Sequence, residues 1–327
     1  MSNQPIMEVK DLSVHFKLNR KNTVHAVTHV NLTINHGETV GLVGESGCGK
    51  TTLGRAIKHI YEPTSGEVIY NGESVQKMNH AELRRYKQDV QMIFQDPYSS
   101  LDPRMTVRDI IKEGMRANKM YSDKEMDQRV DELLEMVGMH REHARRFPHE
   151  FSGGQRQRIG VARALAVNPK FIVCDEPTSA LDVSVQAQVI KLFNDLKKQL
   201  GLTYLFISHD LAMVKYVSDR VAVMYLGEIV EIAPSDRLYD HPQHPYTKTL
   251  LSAVQIPDPK VERARKKMVI DTELQSPVNL PEVGCRFATR CPWATEECKT
   301  RRTQLVEVAP GHFTACTKAA EHEGEDK

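Results

Sequence analysis

Thr39-Val40-Gly41-Leu42-Val43-Gly44-Glu45-Ser46-Gly47-Cys48-Gly49-Lys50-Thr51-Thr52 is the stretch on which the reading of this chain turns. Its first five residues are β-branched, aliphatic or glycine, and predict a short buried strand. Gly44 to Thr51 then fit the phosphate-binding loop pattern, and Lys50 opens a helical segment. Chemistry explains the residue types. Glycines let backbone N–H groups turn inward around phosphate oxygens, and the helix N-terminus adds partial positive charge. A lysine at position 50 suits β- and γ-phosphates, and the Thr51 hydroxyl suits Mg²⁺. Cys48 lies inside the loop, where a helix N-terminus could lower its pKa. Lacking a partner base, it reads as a small loop residue rather than a catalytic thiol.

Working outward, short β-branched runs alternate with helical patterns, which favours a parallel sheet flanked by helices. Further strands are predicted over Val90–Phe94, Phe171–Cys174, Thr203–Ile207 and Val221–Tyr225. Val9–Phe16 and Val24–Ile34 alternate as half-exposed antiparallel strands do. Between Pro97 and Pro148 the strand signal disappears. Ser122 and Glu125 make a capping box there, and Val130, Leu133, Leu134 and Val137 follow at helical spacing, so the stretch reads as a helical insertion. A helix over Val183–Leu200 carries Val185, Val189, Leu192, Phe193 and Leu196 on one face, with Gly201 as its C-terminal cap.

Three further stretches carry chemistry. Phe171-Ile172-Val173-Cys174-Asp175-Glu176 is a buried strand that delivers two carboxylates to its C-terminal end, where ligands of open α/β sheets bind. Asp175 suits Mg²⁺, and Glu176 suits a base that polarises water. Ser152-Gly153-Gly154-Gln155 precedes a helical pattern and forms a second anion-binding helix start. Two such cradles do not easily share one γ-phosphate, so a second copy of the domain is implied. His209 and Gln95 each follow a strand, and taken singly would be ordinary loop residues.

The chain has 327 residues, with 44 Lys+Arg against 43 Asp+Glu. That balance excludes a grossly basic nucleic-acid binder and an acidic disordered protein. No apolar run approaches the roughly 18 residues of a membrane span, and Met1–Lys10 lacks a signal-peptide core, so the expected location is the cytoplasm. After Val254 the composition shifts. Pro257, Pro259, Pro277 and Pro281 break the pattern, Val261–Met268 reads as a solvated charged helix face, and Glu321–Lys327 as disordered.

Cys285, Cys291, Cys298 and Cys316 cluster in this tail. In a reducing compartment a cysteine quartet reads first as a metal site. The spacing C-x5-C-x6-C-x17-C lacks the tight C-x2-C pair usual for structural zinc. Four thiolates can ligate a [4Fe–4S] cluster, and zinc and free thiols stay open as alternatives, with His312 a candidate extra ligand.

Together these motifs resemble, in order and across roughly residues 6 to 255, an ATP-binding cassette ATPase of a transporter. The resemblance implies a P-loop NTPase-type α/β fold: a mostly parallel sheet, an antiparallel β subdomain, a helical insertion at about 97–150 and a small cysteine-containing extension over 256–327. It places Phe16 against adenine, makes Gly44–Thr52 the Walker A segment, Ser152–Gln155 the signature and Ser179–Asp182 the D-loop. Asp175 becomes the Mg²⁺ ligand of Walker B, with Thr51 and Gln95 also at the metal. Glu176 becomes the catalytic base, assisted by Lys50, Gln95 and the switch histidine His209. His241-Pro242-Gln243-His244-Pro245-Tyr246-Thr247, Gly284–Phe287 and Arg290–Pro292 are similar to oligopeptide and dipeptide importers, the F-type subunit more than the D-type. That subfamily implies a [4Fe–4S] cluster on the four cysteines. It also implies a second ATPase subunit (a heterodimer), two transmembrane permease subunits and an extracytoplasmic binding protein. The location becomes the cytoplasmic membrane face, and no nucleic acid is expected. A nickel or glutathione importer, and a non-transport cassette ATPase, are the alternatives.

Overall fold

The computed structural model describes residues 5–254, 276–281, 283–301 and 303–317. The charged run at 261–268 and the residues 321–327 lie outside them. The chain divides into two compact units. One contains the N-terminal piece ending at Met7, Ile34–Glu38 and Ile69–Ile207; the other contains Glu8–Thr33, Thr39–Val68 and the chain from Ser208 onward.

In the first unit, the strand Phe171–Asp175 lies between Val90–Ile93 and Thr203–Ile207, parallel to both. Its residues are all buried, as expected for a parallel strand covered on both faces. The registers bring Ile93 opposite Cys174 and Asp175 opposite Ile207. Residues 97–150 hold two helices, Val107–Asn118 and Asp123–Met136, and short 3₁₀ turns at Arg141–Arg145 and Pro148–Glu150. The Ser122–Glu125 capping box forms, and Val130, Leu133, Leu134 and Val137 are all fully buried. The helix Val183–Leu200 ends at Gly201 in the left-handed conformation, φ 65°, where a Cβ would be strained.

In the second unit, Thr39–Val43 runs parallel to Arg220–Tyr225, with Val40 opposite Arg220 and Val43 opposite Val223. Glu228–Pro234 continues the sheet antiparallel to Arg220–Tyr225. The tail adds two more strands: His312–Thr314 pairs with Glu228–Pro234, and Val306–Ala309 pairs with His312–Thr314. These strands of three and four residues are too short for hydrophobic periodicity to reveal. The long strand Thr23–Asn35, of which the part up to Thr33 belongs to this unit, alternates buried and exposed from Thr28 onward, as a half-solvated strand should. Among the described residues no helix is long and apolar enough to cross a membrane.

Candidate functional site

The phosphate-binding loop belongs to the second unit, and its shape follows from its glycines. Gly44, Gly47 and Gly49 have φ of 153°, 79° and 107°, which L side chains rarely adopt. A Cβ on Gly44 would stand 2.1 Å from the Met224 carbonyl oxygen, and one on Gly49 would stand 2.0 Å from that of Ala26. Only glycine fits either place. The helix Lys50–Ile57 then starts with Gly49 as its N-cap, and no side chain caps it. A helix start without a side-chain cap is a place where backbone N–H groups can meet an anion. Lys50 is buried, and its Nζ donates to the carbonyls of Gly44 at 2.7 Å and Glu45 at 3.0 Å. Burial pushes the Cys48 thiol up, outweighing the opposing effect of Lys50. The helix-terminus effect expected from sequence therefore loses to desolvation, and Cys48 is a protonated packing residue.

Phe16, more than a third exposed at 37 %, meets Tyr61 edge-on at 5.3 Å, and the Arg55 guanidinium stands 5.8 Å above the Tyr61 ring. This exposed aromatic face is a platform for a flat ring. His209 is exposed. It is held between Ser208, whose N–H donates to Leu42 at 3.2 Å, and Asp210, which caps the helix Leu211–Val217 through Met213 N–H at 3.1 Å.

The acidic residues belong to the first unit. Asp175 is 1 % exposed at the end of its strand. Glu176, next along, has φ 45°, an uncommon state for a non-glycine residue and a form of stored strain. Its N–H donates to Ile207 at 3.0 Å, and Ser179 Oγ donates to its carbonyl at 3.1 Å, which holds the turn. The Gln95 amide donates to Glu176 Oε2 at 2.9 Å, so the fold brings together two residues separated by 81 positions. Ser152 caps the helix Gly153–Leu165: its Oγ accepts from Gln155 N–H at 3.4 Å, and Gln155 Oε1 accepts from Ser152 N–H at 3.0 Å. A Cβ on Gly154 would strike Val185 at 2.4 Å, whereas one on Gly153 would meet nothing nearer than Leu181 at 3.4 Å.

In the tail, Cys285, Cys291, Cys298 and Cys316 line one cavity with Phe287 and Trp293. Burial drives the Cys285 thiol up to about 12, and the other three thiols add to the shift. Cys291 is raised by burial and by Cys316 and Cys298, so the four groups sense one another electrostatically. Among the described residues, no three His, Cys, Asp or Glu side chains are gathered tightly enough to hold one metal ion. His312 is not part of this wall. It is fully buried elsewhere, with Arg237 Nε donating to its Nδ1 at 3.1 Å and its Nε2 bonded to Glu231 at 2.7 Å.

Sequence reasoning gave no role to Glu231, and quoted Tyr246 and Arg290 only as parts of motifs. Glu231 is fully buried and accepts from the N–H groups of Gln243 and His244, both at 2.8 Å, where the helix Pro245–Ala253 begins. That helix presents Tyr246, whose hydroxyl accepts from Glu45 N–H at 2.8 Å. Arg290 donates to the two Glu45 carboxylate oxygens at 3.2 and 3.0 Å.

Comparison with known proteins agrees with this geometry. The family model for ABC transporters matches residues 27–179, and that for the oligopeptide/dipeptide transporter C-terminal region matches residues 230–298. The oligopeptide transport ATP-binding protein OppF of Bacillus subtilis is 53 % identical, covering 97 % of each chain. Its relative AppF, from the same organism, is 48 % identical over 96 % of this chain and 97 % of that one. Among solved structures, an ATP-binding cassette dimer bound to ADP and Pi superposes with TM-score 0.64 and 29 % identity, covering 70 % of this chain and 98 % of that one.

Proposed function

Because the chain belongs to the ABC transporter ATPases that carry the oligopeptide/dipeptide C-terminal region, we propose that it hydrolyses ATP to power the import of peptides. The observation that carries the reading is the phosphate loop, with left-handed glycines pressed against backbone carbonyls and an uncapped helix start behind them.

In this reading Phe16 stacks on adenine. Backbone N–H groups of the Gly44–Thr52 segment, other than that of Glu45, which Tyr246 holds, and the Lys50 ammonium hold the phosphates. Thr51 and Asp175 offer the hard oxygen donors that Mg²⁺ prefers, joined by Gln95, and the ion would neutralise charge on the β- and γ-phosphates. Glu176 orients the attacking water, with Gln95 as its hydrogen-bond partner. His209 and Lys50 stabilise charge that develops on the γ-phosphate. The signature Ser152–Gln155 completes the site of a second cassette, paired head to tail. Binding then closes the pair because the γ-phosphate touches both chains.

We assign the cassette to residues 1–255, with its helical subdomain at about 97–150, and the extension to 256–327. The partners are a second ATPase subunit, making a heterodimer, two permease subunits and an extracytoplasmic binding protein, which hold this chain at the cytoplasmic membrane face. Co-purification from membranes in mild detergent tests this. Integral subunits should accompany the chain, and peptide-loaded binding protein should raise ATP turnover. A chain recovered alone, or turnover indifferent to peptide, would overturn the reading.

For the tail, we propose a [4Fe–4S] cluster rather than zinc, because the spacing C-x5-C-x6-C-x17-C lacks the tight C-x2-C pair usual for structural zinc, and the four cysteines line one cavity. A cluster would supply four iron–thiolate bonds that tie the tail together. Iron with acid-labile sulfide, assayed after anaerobic purification, is the expected result; zinc without sulfide would refute it.

A further inference from the structure

Glu45 raises an electrostatic difficulty that the phosphate loop does not resolve by itself. A carboxylate two residues before Gly47, in a loop shaped for anions, repels the triphosphate that the loop is built to receive. The compensating charge comes from 245 residues away. Arg290 Nη1 reaches both Glu45 oxygens, and the pair is largely withdrawn from water, with side chains 9 % and 25 % exposed. The guanidinium is itself confined. It stands 5.9 Å over the Tyr225 ring and 5.8 Å over that of Phe287, and Nη1 lies 3.4 Å from the Tyr225 hydroxyl.

A second tie acts on the backbone of the same residue. The Glu45 N–H donates to Tyr246, a fully buried tyrosine packed on Tyr225 at 4.6 Å and on Phe287 at 5.5 Å. Lys50 bonds the Glu45 carbonyl from the other side. Glu45 is thus fixed at its N–H, its carbonyl and its carboxylate, and two of the three ties come from the C-terminal part of the chain.

We propose that Arg290 is a positioning residue for ATP binding: by pairing with Glu45 it cancels the one negative charge in the phosphate loop and, with Tyr246, holds the loop in its receptive shape. It touches no phosphate. The segment that carries Arg290 also carries Cys291, a wall of the cysteine cavity, so the tail and the nucleotide loop are joined through adjacent residues. The proposal rests on the reading of Gly44–Thr51 as the ATP site.

The test is charge rescue, read as equilibrium binding of ATP-Mg²⁺ to the full chain in its transporter complex. Arg290→Gln should weaken binding about three- to tenfold while the maximal turnover at saturating ATP changes less. Arg290→Lys, which keeps the cation, should bind within about twofold of the parent. The double variant Glu45→Gln/Arg290→Gln should also return to within about twofold, because neither charge then remains. A merely structural arginine would not be rescued by removing the charge of its partner. Parental affinity in Arg290→Gln, or a double variant as weak as the single one, would overturn the proposal. If Arg290→Gln misfolds, the double variant still decides: a folded, ATP-binding double supports the pairing, and a double that also misfolds refutes it as an electrostatic device. A parent that binds no ATP would instead sink the assignment of the loop itself.

Discussion

Two helices of this chain begin with glycine-rich turns, and they are built in opposite ways. At Lys50–Ile57 the start is open: Gly49 supplies no side-chain cap, and glycines at 44 and 49 exist because carbonyls of Met224 and Ala26 leave no room for a Cβ. At Gly153–Leu165 the start is closed, with Ser152 and Gln155 satisfying each other's N–H groups. Gly154 is needed for contact with Val185, but Gly153 has ordinary backbone angles and room for a methyl group. Among the described residues nothing packs against the Gly153 position closely enough to require glycine there. The lesson is that a shared motif vocabulary hides two designs: a loop whose glycines are imposed by neighbouring carbonyls, and a self-capped helix start that leaves room at its first residue.

Three substitutions press on this contrast. If binding resides in the open start and chemistry in the carboxylate of Glu176, Glu176→Gln should lower turnover by about 10²–10⁴ while ATP stays bound, as a trapped-nucleotide assay would show. Parental hydrolysis in that variant would remove Glu176 as the base. Gly49→Ala should cost on the order of 3–5 kcal/mol and abolish nucleotide binding, because it adds a backbone clash to a left-handed φ. Gly153→Ala should melt no lower than the parent yet lose turnover; equal damage from the two alanines would end the distinction.

The open start also depends on remote support, whereas the closed one does not. Glu231→Gln leaves one of three buried N–H contacts facing an amide donor, at a cost of about 2–4 kcal/mol. Hydrogen exchange should then speed up at Glu45 and leave Gln155 unchanged. Ser152→Ala should cost about 1 kcal/mol, seen as a small drop in melting temperature, since it removes only a cap.

These designs were unequally legible. The phosphate loop was readable because strand, glycines and helix are contiguous and each residue type has its own chemical reason. Gln95 and Glu176 were each singled out by the family resemblance, their hydrogen bond to one another was not, and the helical insertion followed from its capping box and 3.6-residue spacing. Contacts between distant residues left no local trace. Tyr246 and Arg290 lie 201 and 245 residues from Glu45, and neither carries periodicity or spacing that points to it. Glu231 lies in no stretch that the sequence marked out, and only the fold shows it buried with three donors. His312 is the reverse case: a histidine among cysteines invites a metal role, the sequence reading favoured a bystander, and both its ring nitrogens are engaged by Arg237 and Glu231.

The far-off origin of Arg290 has a consequence in time. A ribosome that has just added Glu45 must add 245 more residues before its charge partner exists. At about 5–20 residues per second that is a delay of roughly 12–50 seconds. During it, the nascent loop carries an unpaired carboxylate where triphosphate would sit. A fragment cut short before Arg290 therefore holds every nucleotide-binding motif and still lacks the neutral cradle, so truncated products compete poorly for ATP with the finished subunit.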